Sequence, residues 1–266
     1  MAGNGGKPEP KTAICTIDET SVVIRGAELC RDLMGKMSFT SFFCFLLTGK
    51  PPTEDQAFFI DAALLAIGEH GLTTSVKASR MTFAAAPDCL QGAVAAGILG
   101  CGTVVLGTAG IAGNLLREGI DYAAKNGLSY AEAADIFAKK YKAEKRRLPG
   151  FGHQVHKPVD PRCERLLQLA DERGVAGSHV AFARELQKAA ERVFERPMIM
   201  NVSAAIPAVL LDLDFPLPAM KGIPILARTA SILGHLLEET QRPMGFQLSE
   251  RASSGIAYDG PRLAAK

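Results

Sequence analysis

Apolar positions along most of this chain recur at the three- and four-residue spacing of helices that bury one face, and only near the start do they form β-branched runs. That exception is AICTIDETSVVIRG, residues 13–26, where two such runs flank Asp18, Glu19 and Thr20; the pattern predicts a short hairpin. SFTSFFCFLLTG (38–49) predicts a short apolar helix closed by Gly49, because glycine accepts the left-handed backbone that ends helices. Thr53 and Gln56 have the spacing of a capping box and open a helix to about Glu69. Residues 91–117 are rich in Gly and Ala and predict a helix interrupted near 107–113; small side chains there suit close helix contact, as at a subunit interface. Ser129 with Glu132 caps a helix to about Lys145. Asp160-Pro161 starts another, ending at Gly174, with Pro at the first helical position, where its missing N–H costs nothing. Helices at about 178–195, 197–211 and 222–240 follow, and the tail from Pro243 reads as irregular. The fold class is all-α with one small hairpin.

Composition narrows what such a fold can do. The chain has 266 residues, 47% of them hydrophobic and 22% charged, enough for a sizeable core and too apolar for disorder. A net charge of only +2 argues against a nucleic-acid or anionic-membrane surface, so any positive site is local. The six cysteines are scattered with no CxxC pair and read as small apolar residues in a reducing compartment, with no metal site among them. Residues 1–12 are polar and rich in Gly and Pro, which predicts a flexible tail and no signal peptide; the expected location is cytoplasmic. The apolar span around 91–116 is broken by glycines and reads as core, not as a membrane span. GxSxG, GxxxxGK[ST], HExxH and GxGxxG are absent.

Candidate chemistry concentrates in RRLPGFGHQVHKPVDPR, residues 146–162. Arg162 falls in the first turn of a helix capped by Asp160, so its guanidinium and the positive helix end form an anion site suited to a carboxylate. His153 lies nine residues upstream, beside Gly152, and histidine changes protonation nearest neutral pH. The plainer alternative is a solvated basic loop. Arg228 sits inside PILARTASIL among apolar neighbours, and a buried guanidinium requires an anion. Asp212, Glu238 and a ligand are the open choices. His235 lies seven residues on, on the same face, and reads as a core histidine. His70 stands where a helix ends before Gly71, a position that often serves only to bond the last carbonyls.

LPGFGHQVHKPVDPR resembles the GFGHxVxKxxDPR signature of the citrate synthase superfamily, and further blocks follow in family order. These are IRG (24–26), SFTSFFCFLLTGKPPTEDQ, EHG (69–71), GAVAAGILGCG, MNVSAAIPAVLLDLDFP and ARTASILGHLLEE, so the resemblance runs from about residue 13 to 245. The short length and this pattern are most similar to the citryl-CoA lyase-like subgroup, related to the C-terminal module of ATP-citrate lyase. The resemblance implies an all-α citrate synthase-like fold with a large domain (13–114 and 206–266) and a small lid domain (115–205), in a homodimer or higher homo-oligomer. It implies that an acyl-CoA and a 2-oxo or 3-hydroxy acid are the substrates, with no permanently bound cofactor. Residue by residue, it gives His153 the reacting oxygen, as the base that takes the hydroxyl proton in cleavage or as donor to the oxygen in reverse, and gives Arg162, Arg228 and His70 the acid. It gives the CoA thioester the loop of Arg147, Leu148, Gly150, Phe151 and Gly152, together with Lys157.

Two positions depart from the family pattern. A histidine that hydrogen-bonds the thioester enolate is replaced at or near Gly110, within GTAGIAGN (107–114). The aspartate that moves the proton at the CoA-ester carbon is replaced by Ser203, in Asn201-Val202-Ser203. Serine is no carboxylate base, so water held by Ser203, His156 or a product group is left to protonate an enolate, and backbone N–H groups near Gly110 to meet its oxygen. The expectation is a lyase cleaving a 3-hydroxyacyl-CoA, citryl-CoA or a bulkier analogue, through a thioester enolate. A condensing enzyme of the citrate synthase type and a non-catalytic acyl-CoA binder are the alternatives. Arg251 is the nearest counterpart of an arginine that reaches a neighbouring subunit in the family.

Overall fold

The computed structural model describes residues 9–153 and 155–261 and falls into two compact units, residues 1–61 and 62–266. In the first, β1 (Cys15–Ile17), β2 (Val22–Ile24) and β3 (Ala27–Glu28) form an antiparallel sheet in that order, with Cys15 opposite Ile24 and Val23 opposite Glu28. The predicted hairpin is therefore extended by a third strand. Asp18 shapes the first turn, accepting the backbone N–H of Thr20 and Ser21, both at 2.8 Å, and these bonds hold its carboxyl down to about 2. Arg25 and Gly26 adopt φ of 50° and 87°, the handedness a tight hairpin turn needs between β2 and β3.

Helix α1 (Phe39–Thr48) is capped by Ser38 and ends at Gly49 with φ 74°, as predicted. The guanidinium of Arg25 closes its far end, donating to the carbonyl of Leu46 at 3.1 and 2.7 Å. Ile24, Leu33 and Phe45 form the core of this unit. Helix α2 (Glu54–Gly68) opens with the reciprocal Thr53–Gln56 bonds of a capping box.

The second unit contains α3 (Thr74–Ala85), α4 (Leu90–Leu99), α5 (Thr108–Asn126), α6 (Tyr130–Ala143), α7 (Pro161–Glu172), α8 (Ser178–Phe194), α9 (Val202–Asp212), α10 (Gly222–Gln241) and α11 (Gly245–Ser253). Helix α9 is almost wholly buried and packs on α5, α7 and α8, while α3 packs on α4, α10 and α11. Gly119 of α5 shows how close these contacts are: a β-carbon there would lie 2.0 Å from Cζ of Phe182 on α8.

Four sequence expectations are corrected. The long small-residue helix breaks at 100–107, between α4 and α5, and not at 107–113. Helix α9 begins at Val202, not 197, because Asn201 accepts the N–H of Ser203 and caps it there. The segment after Pro243 is helical: Glu239 accepts the N–H groups of Met244 and Gly245 at 2.8 and 2.7 Å and so starts α11, which carries Arg251. Helix α3 was not anticipated, since Lys77 and Arg80 interrupt its apolar stripe. No helix among the described residues is long and apolar enough to cross a membrane.

Candidate functional site

The loop between α6 and α7 is fixed by the segment that leads into α9. Gly152 N–H donates to the Ile199 carbonyl at 2.6 Å, Asn201 N–H to the Gly150 carbonyl at 2.9 Å, and Asn201 Nδ2 to the Gly152 carbonyl at 2.8 Å. Gly150 has φ 83°, and a β-carbon there would stand 2.5 Å from Cβ of Ala204, so no other residue fits without a shift.

Asp160 is the anchor of the site. It is 1% exposed. Its Oδ1 accepts the backbone N–H of Arg162 at 3.1 Å and Nε at 3.0 Å, and its Oδ2 accepts Nη2 at 2.9 Å and the N–H of Val202 at 3.0 Å. Burial alone would raise its pKa, but the bonds from Arg162 and Val202 more than offset that and hold it below the ordinary carboxylate value. One side chain thus caps α7, aims Arg162 and holds the start of α9, whose second residue is the half-buried Ser203. Arg162 is therefore partly committed to Asp160, which the sequence did not reveal.

His153 stands over this pair. Its Nδ1 accepts the backbone N–H of Val155 at 3.0 Å and of His156 at 2.8 Å. Two N–H groups aimed at Nδ1 assign it the lone pair, so the ring proton of neutral His153 is on Nε2. Nε2 lies 3.3 Å from Nη2 of Arg162 and 4.0 Å from Oδ2 of Asp160. Two donors side by side call for an acceptor oxygen placed against both. Burial, with help from the charges of His156 and Arg162, depresses the His153 pKa despite Asp160, which keeps the ring neutral near pH 7.

His70 and His156 complete a cluster. Their Nε2 atoms are 3.2 Å apart, and the His153 and His156 rings lie 4.4 Å apart. His70 is also shifted down, first by loss of water around its ring and then by Arg162 and His156. Its expected alternative role, bonding the last carbonyls of α2, gives way to this contact. Among the described residues the ring nitrogens of His70, His153 and His156 lie within 4.8 Å of one another, the spread of a metal-ligand set. The set is poorly suited to a cation: Nδ1 of His153 already accepts two N–H groups, its Nε2 faces a guanidinium, and Arg162 and Arg228 act electrostatically on His70.

Arg228 is 2% exposed, and neither Asp212 nor Glu238 is its partner. Asp212 instead accepts the N–H groups of Gly177, His179 and Val180 at the start of α8, and Glu238 accepts Arg80 Nη1 at 2.7 Å. Arg228 Nη1 reaches Thr73 Oγ1 at 3.3 Å and Ser231 Oγ at 3.5 Å, while its buried Nε has no partner among the described residues. Burial pulls its pKa below the ordinary arginine value, with Glu69 and Cys101 opposing. A neighbouring network, unseen in the sequence, runs from Glu69 through Ser231 and His235 to Arg80, which is fully buried and paired with Glu238 and Glu239. His235 is thus a bridging residue of that network. Arg80, in SVKASRMTF with Lys77 and Ser79 beside it, lacks the apolar setting that marked Arg228, so the sequence did not single it out.

A cleft of about 1010 Å³ runs along the loop, lined by Arg146, Arg147, Gly150, Gly152, His153 and, from α5, Thr108, among others. Leu148 and Phe151 line it too, but both are buried, at 3% and 9% exposure, so they shape the wall more than they reach outward. Lys157 lines a separate cleft of about 560 Å³ that shares Phe151, Gly152 and His153. Gly110, in the first turn of α5, leaves room for a side chain, with Cβ of Lys221 at 4.0 Å from an added β-carbon.

These features describe a mostly helical protein whose cationic and imidazole groups gather around one interhelical loop beside a cleft of about 1010 Å³. The family model for "Citrate synthase, C-terminal domain" matches residues 25–246, and the chain belongs to the citrate synthase family. It is 27% identical over 240 residues to citrate/2-methylcitrate synthase of Bacillus subtilis, covering 86% of this chain and 58% of the relative. The chain spans about half the length of the curated relatives it matches. The structure of citryl-CoA lyase from Hydrogenobacter thermophilus superposes with a TM-score of 0.82 at 29% identity, covering 96% of this chain and 97% of that one. ATP citrate lyase from Methanothrix soehngenii, in complex with citrate and coenzyme A, superposes at 0.79 and 22% identity over 97% of this chain and 43% of that one, a likeness of fold.

Proposed function

We propose that this protein is a CoA-ester lyase that cleaves a 3-hydroxyacyl-CoA, citryl-CoA or a bulkier analogue, to an acyl-CoA and an oxo acid through a thioester enolate. The observation that carries the reading is the pair of donors, Nε2 of His153 and Nη2 of Arg162, 3.3 Å apart: Asp160 Oδ2 takes Nη2 at 2.9 Å but stands 4.0 Å from Nε2, which meets no acceptor within hydrogen-bond distance among the described residues. An oxygen of a carboxylated substrate satisfies both. The buried guanidinium of Arg228, unpartnered at Nε, takes a second carboxylate. The cleft beside Arg146, Arg147, Gly150 and Gly152 has the volume and charge for a CoA thioester, with Leu148 and Phe151 in its wall and Lys157 nearby for a phosphate. Citryl-CoA lyase, similar along nearly its whole length, supports this choice over other family chemistry.

In the cleavage direction the acid is held by Arg162, Arg228 and His70, which fixes the breaking C–C bond against the thioester. His153 donates from Nε2 to the oxygen that becomes the carbonyl. As the bond breaks, its electrons pass to the thioester oxygen, met by N–H groups at the start of α5 near Gly110. Water on Ser203 protonates the enolate carbon. The absence of larger side chains at Gly110 and Ser203 leaves room for a substrate bulkier than citryl-CoA. We place the protein in the cytoplasm as a homodimer or higher homo-oligomer, with 115–205 as a lid domain over 13–114 and 206–266.

Condensation in the reverse direction is the second reading, favoured by the Bacillus subtilis relative. Incubation with citryl-CoA and a panel of other 3-hydroxyacyl-CoA esters tests the proposal: release of a shorter acyl-CoA and an oxo acid is expected. Tight CoA binding with no turnover of any ester would leave a non-catalytic acyl-CoA binder instead.

A further inference from the structure

The cleavage reaction must take a proton from the substrate hydroxyl, and the hydrogen bonds of His153 leave it without a free lone pair in the neutral ring. Its Nδ1 accepts two backbone N–H groups and its Nε2 carries the proton. Ser203 supplies no base of its own. The acceptor must be another group within reach of the same oxygen.

We infer that the hydrogen-bonded pair of His70 and His156 is the proton acceptor of this site, with His156 as the partner that makes His70 competent; the inference rests on the lyase reading. His156 occupies a position the family signature leaves open, so nothing about the loop's fold requires histidine there. Its backbone N–H bonds His153 Nδ1 at 2.8 Å, which sets that ring as a donor. Its side chain meets His70 Nε2 to Nε2 at 3.2 Å. One residue therefore divides the labour, fixing His153 as a hydrogen-bond donor through its main chain and pairing His70 through its ring.

The pair has a defined proton capacity. Two neutral imidazoles joined Nε2 to Nε2 hold one N–H and one lone pair in the contact, leaving one Nδ1–H and one free Nδ1 lone pair. A proton arriving at that free nitrogen turns the contact into a charge-assisted bond between imidazolium and imidazole, stronger than the neutral one. The groups facing the pair are Asp160 and Arg162 at the start of α7, Arg228 on α10 and His153 on the same loop, while Glu69, next to His70 in sequence, is bonded to Gly71, Ser231 and His235. The two guanidiniums disfavour a permanent charge, which keeps the pair ready to accept; a bound dicarboxylate neutralises them and lets the proton stay.

The step balances. The substrate O–H breaks and its proton moves to the pair; the O–H electrons form the carbonyl π bond as the C–C electrons become the enolate. The enolate carbon takes a proton from the water on Ser203, and the hydroxide left behind recovers the proton from the pair.

The test uses His156→Gln, whose amide can keep a hydrogen bond to His70 but cannot carry a proton, alongside His70→Gln and the double variant. With the ester that the wild type cleaves, kcat of His156→Gln is expected to fall about 100-fold, the low end of acid–base effects, with KM within about threefold. The double variant should lose no more than the worse single one. Retention of kcat within about threefold in His156→Gln overturns the proposal, since that result means a hydrogen bond alone suffices. An NMR titration of the imidazole Cε1–H signals tests the pair without turnover: His70 and His156 should take up one proton jointly, with the second delayed, and His156→Gln should convert His70 to a simple single titration. Independent titration of the two rings overturns the pairing. Absence of wild-type turnover with any ester refutes the lyase reading, and the titration still decides the pair.

Discussion

Nε2 of His153 stands 3.3 Å from Nη2 of Arg162, and both are donors, because Nδ1 of the histidine is filled by the N–H groups of Val155 and His156. The two therefore face the same bound acid, His153 at its reacting oxygen and Arg162 at its carboxylate. His153→Ala is expected to lower kcat by about 10²–10⁴-fold with a smaller change in KM. Arg162→Met should instead raise KM for the acid and also weaken the protein, since it strands the buried carboxylate of Asp160. Steady-state kinetics with the cleaved ester, alongside thermal melts, separate the two. Equal losses in kcat for both variants with unchanged KM would contradict the division of roles.

Arg228 presents the opposite balance of stability and function. Its guanidinium is buried with Nε unpartnered, and Glu69 does not contact it within ion-pair distance among the described residues. An unsatisfied buried donor costs about 1–3 kcal/mol. Arg228→Met is expected to raise the melting temperature of the ligand-free protein while abolishing the stabilisation that a dicarboxylate gives the wild type. A melt with and without the acid reads both effects. A destabilised variant that still responds to the acid would remove Arg228 from the binding site.

How far these arrangements were visible beforehand differs from residue to residue. Helix ends set by local chemistry were legible: Ser38 and Gly49 bracket α1, Ser129 with Glu132 opens α6, and Asp160-Pro161 opens α7. Elements closed by distant partners were not. Helix α3 depends on the burial of Arg80 against Glu239 of α10, 159 residues away, and it is this same carboxylate, held by Arg80, that starts α11. Likewise the gathering of His70 and His153 followed only from family resemblance, because 83 positions of chain separate them and no periodicity links them. Local reading missed the double role of Asp160, since its bond to Val202 spans 42 residues and joins the starts of two helices.

Arg80 and Glu239 form a buried ion pair at 2.6 Å, with side-chain exposures of 0% and 3%. Glu239→Ala should be strongly destabilising, by about 3–5 kcal/mol, because it leaves the Arg80 charge short of a partner and uncaps α11. Arg80→Met is expected to cost less than Glu239→Ala. Urea denaturation of both variants and of the double variant gives the coupling. If the double variant is no more stable than the sum of the single losses implies, the pair is not coupled.

His70 and His153 both have folded-state pKa values below the ordinary 6.5, chiefly from loss of water around the rings. For such groups the unfolded chain binds more protons than the folded one as pH falls through 6.5, so stability rises with pH in that window and declines toward acid. Asp160, with its pKa lowered from 3.8, adds stability that is present above about pH 4 and is lost only at lower pH, so the two contributions occupy separate windows. Denaturant unfolding between pH 7.5 and 5 (about the histidine range) should show the wild type losing stability, with a shallower slope in His153→Gln and His70→Gln. A dicarboxylate bound beside these rings favours their charged forms, so its affinity should increase as pH falls through the same window. A wild-type slope unchanged by either substitution, together with pH-independent acid binding, would show that these rings stay neutral bystanders.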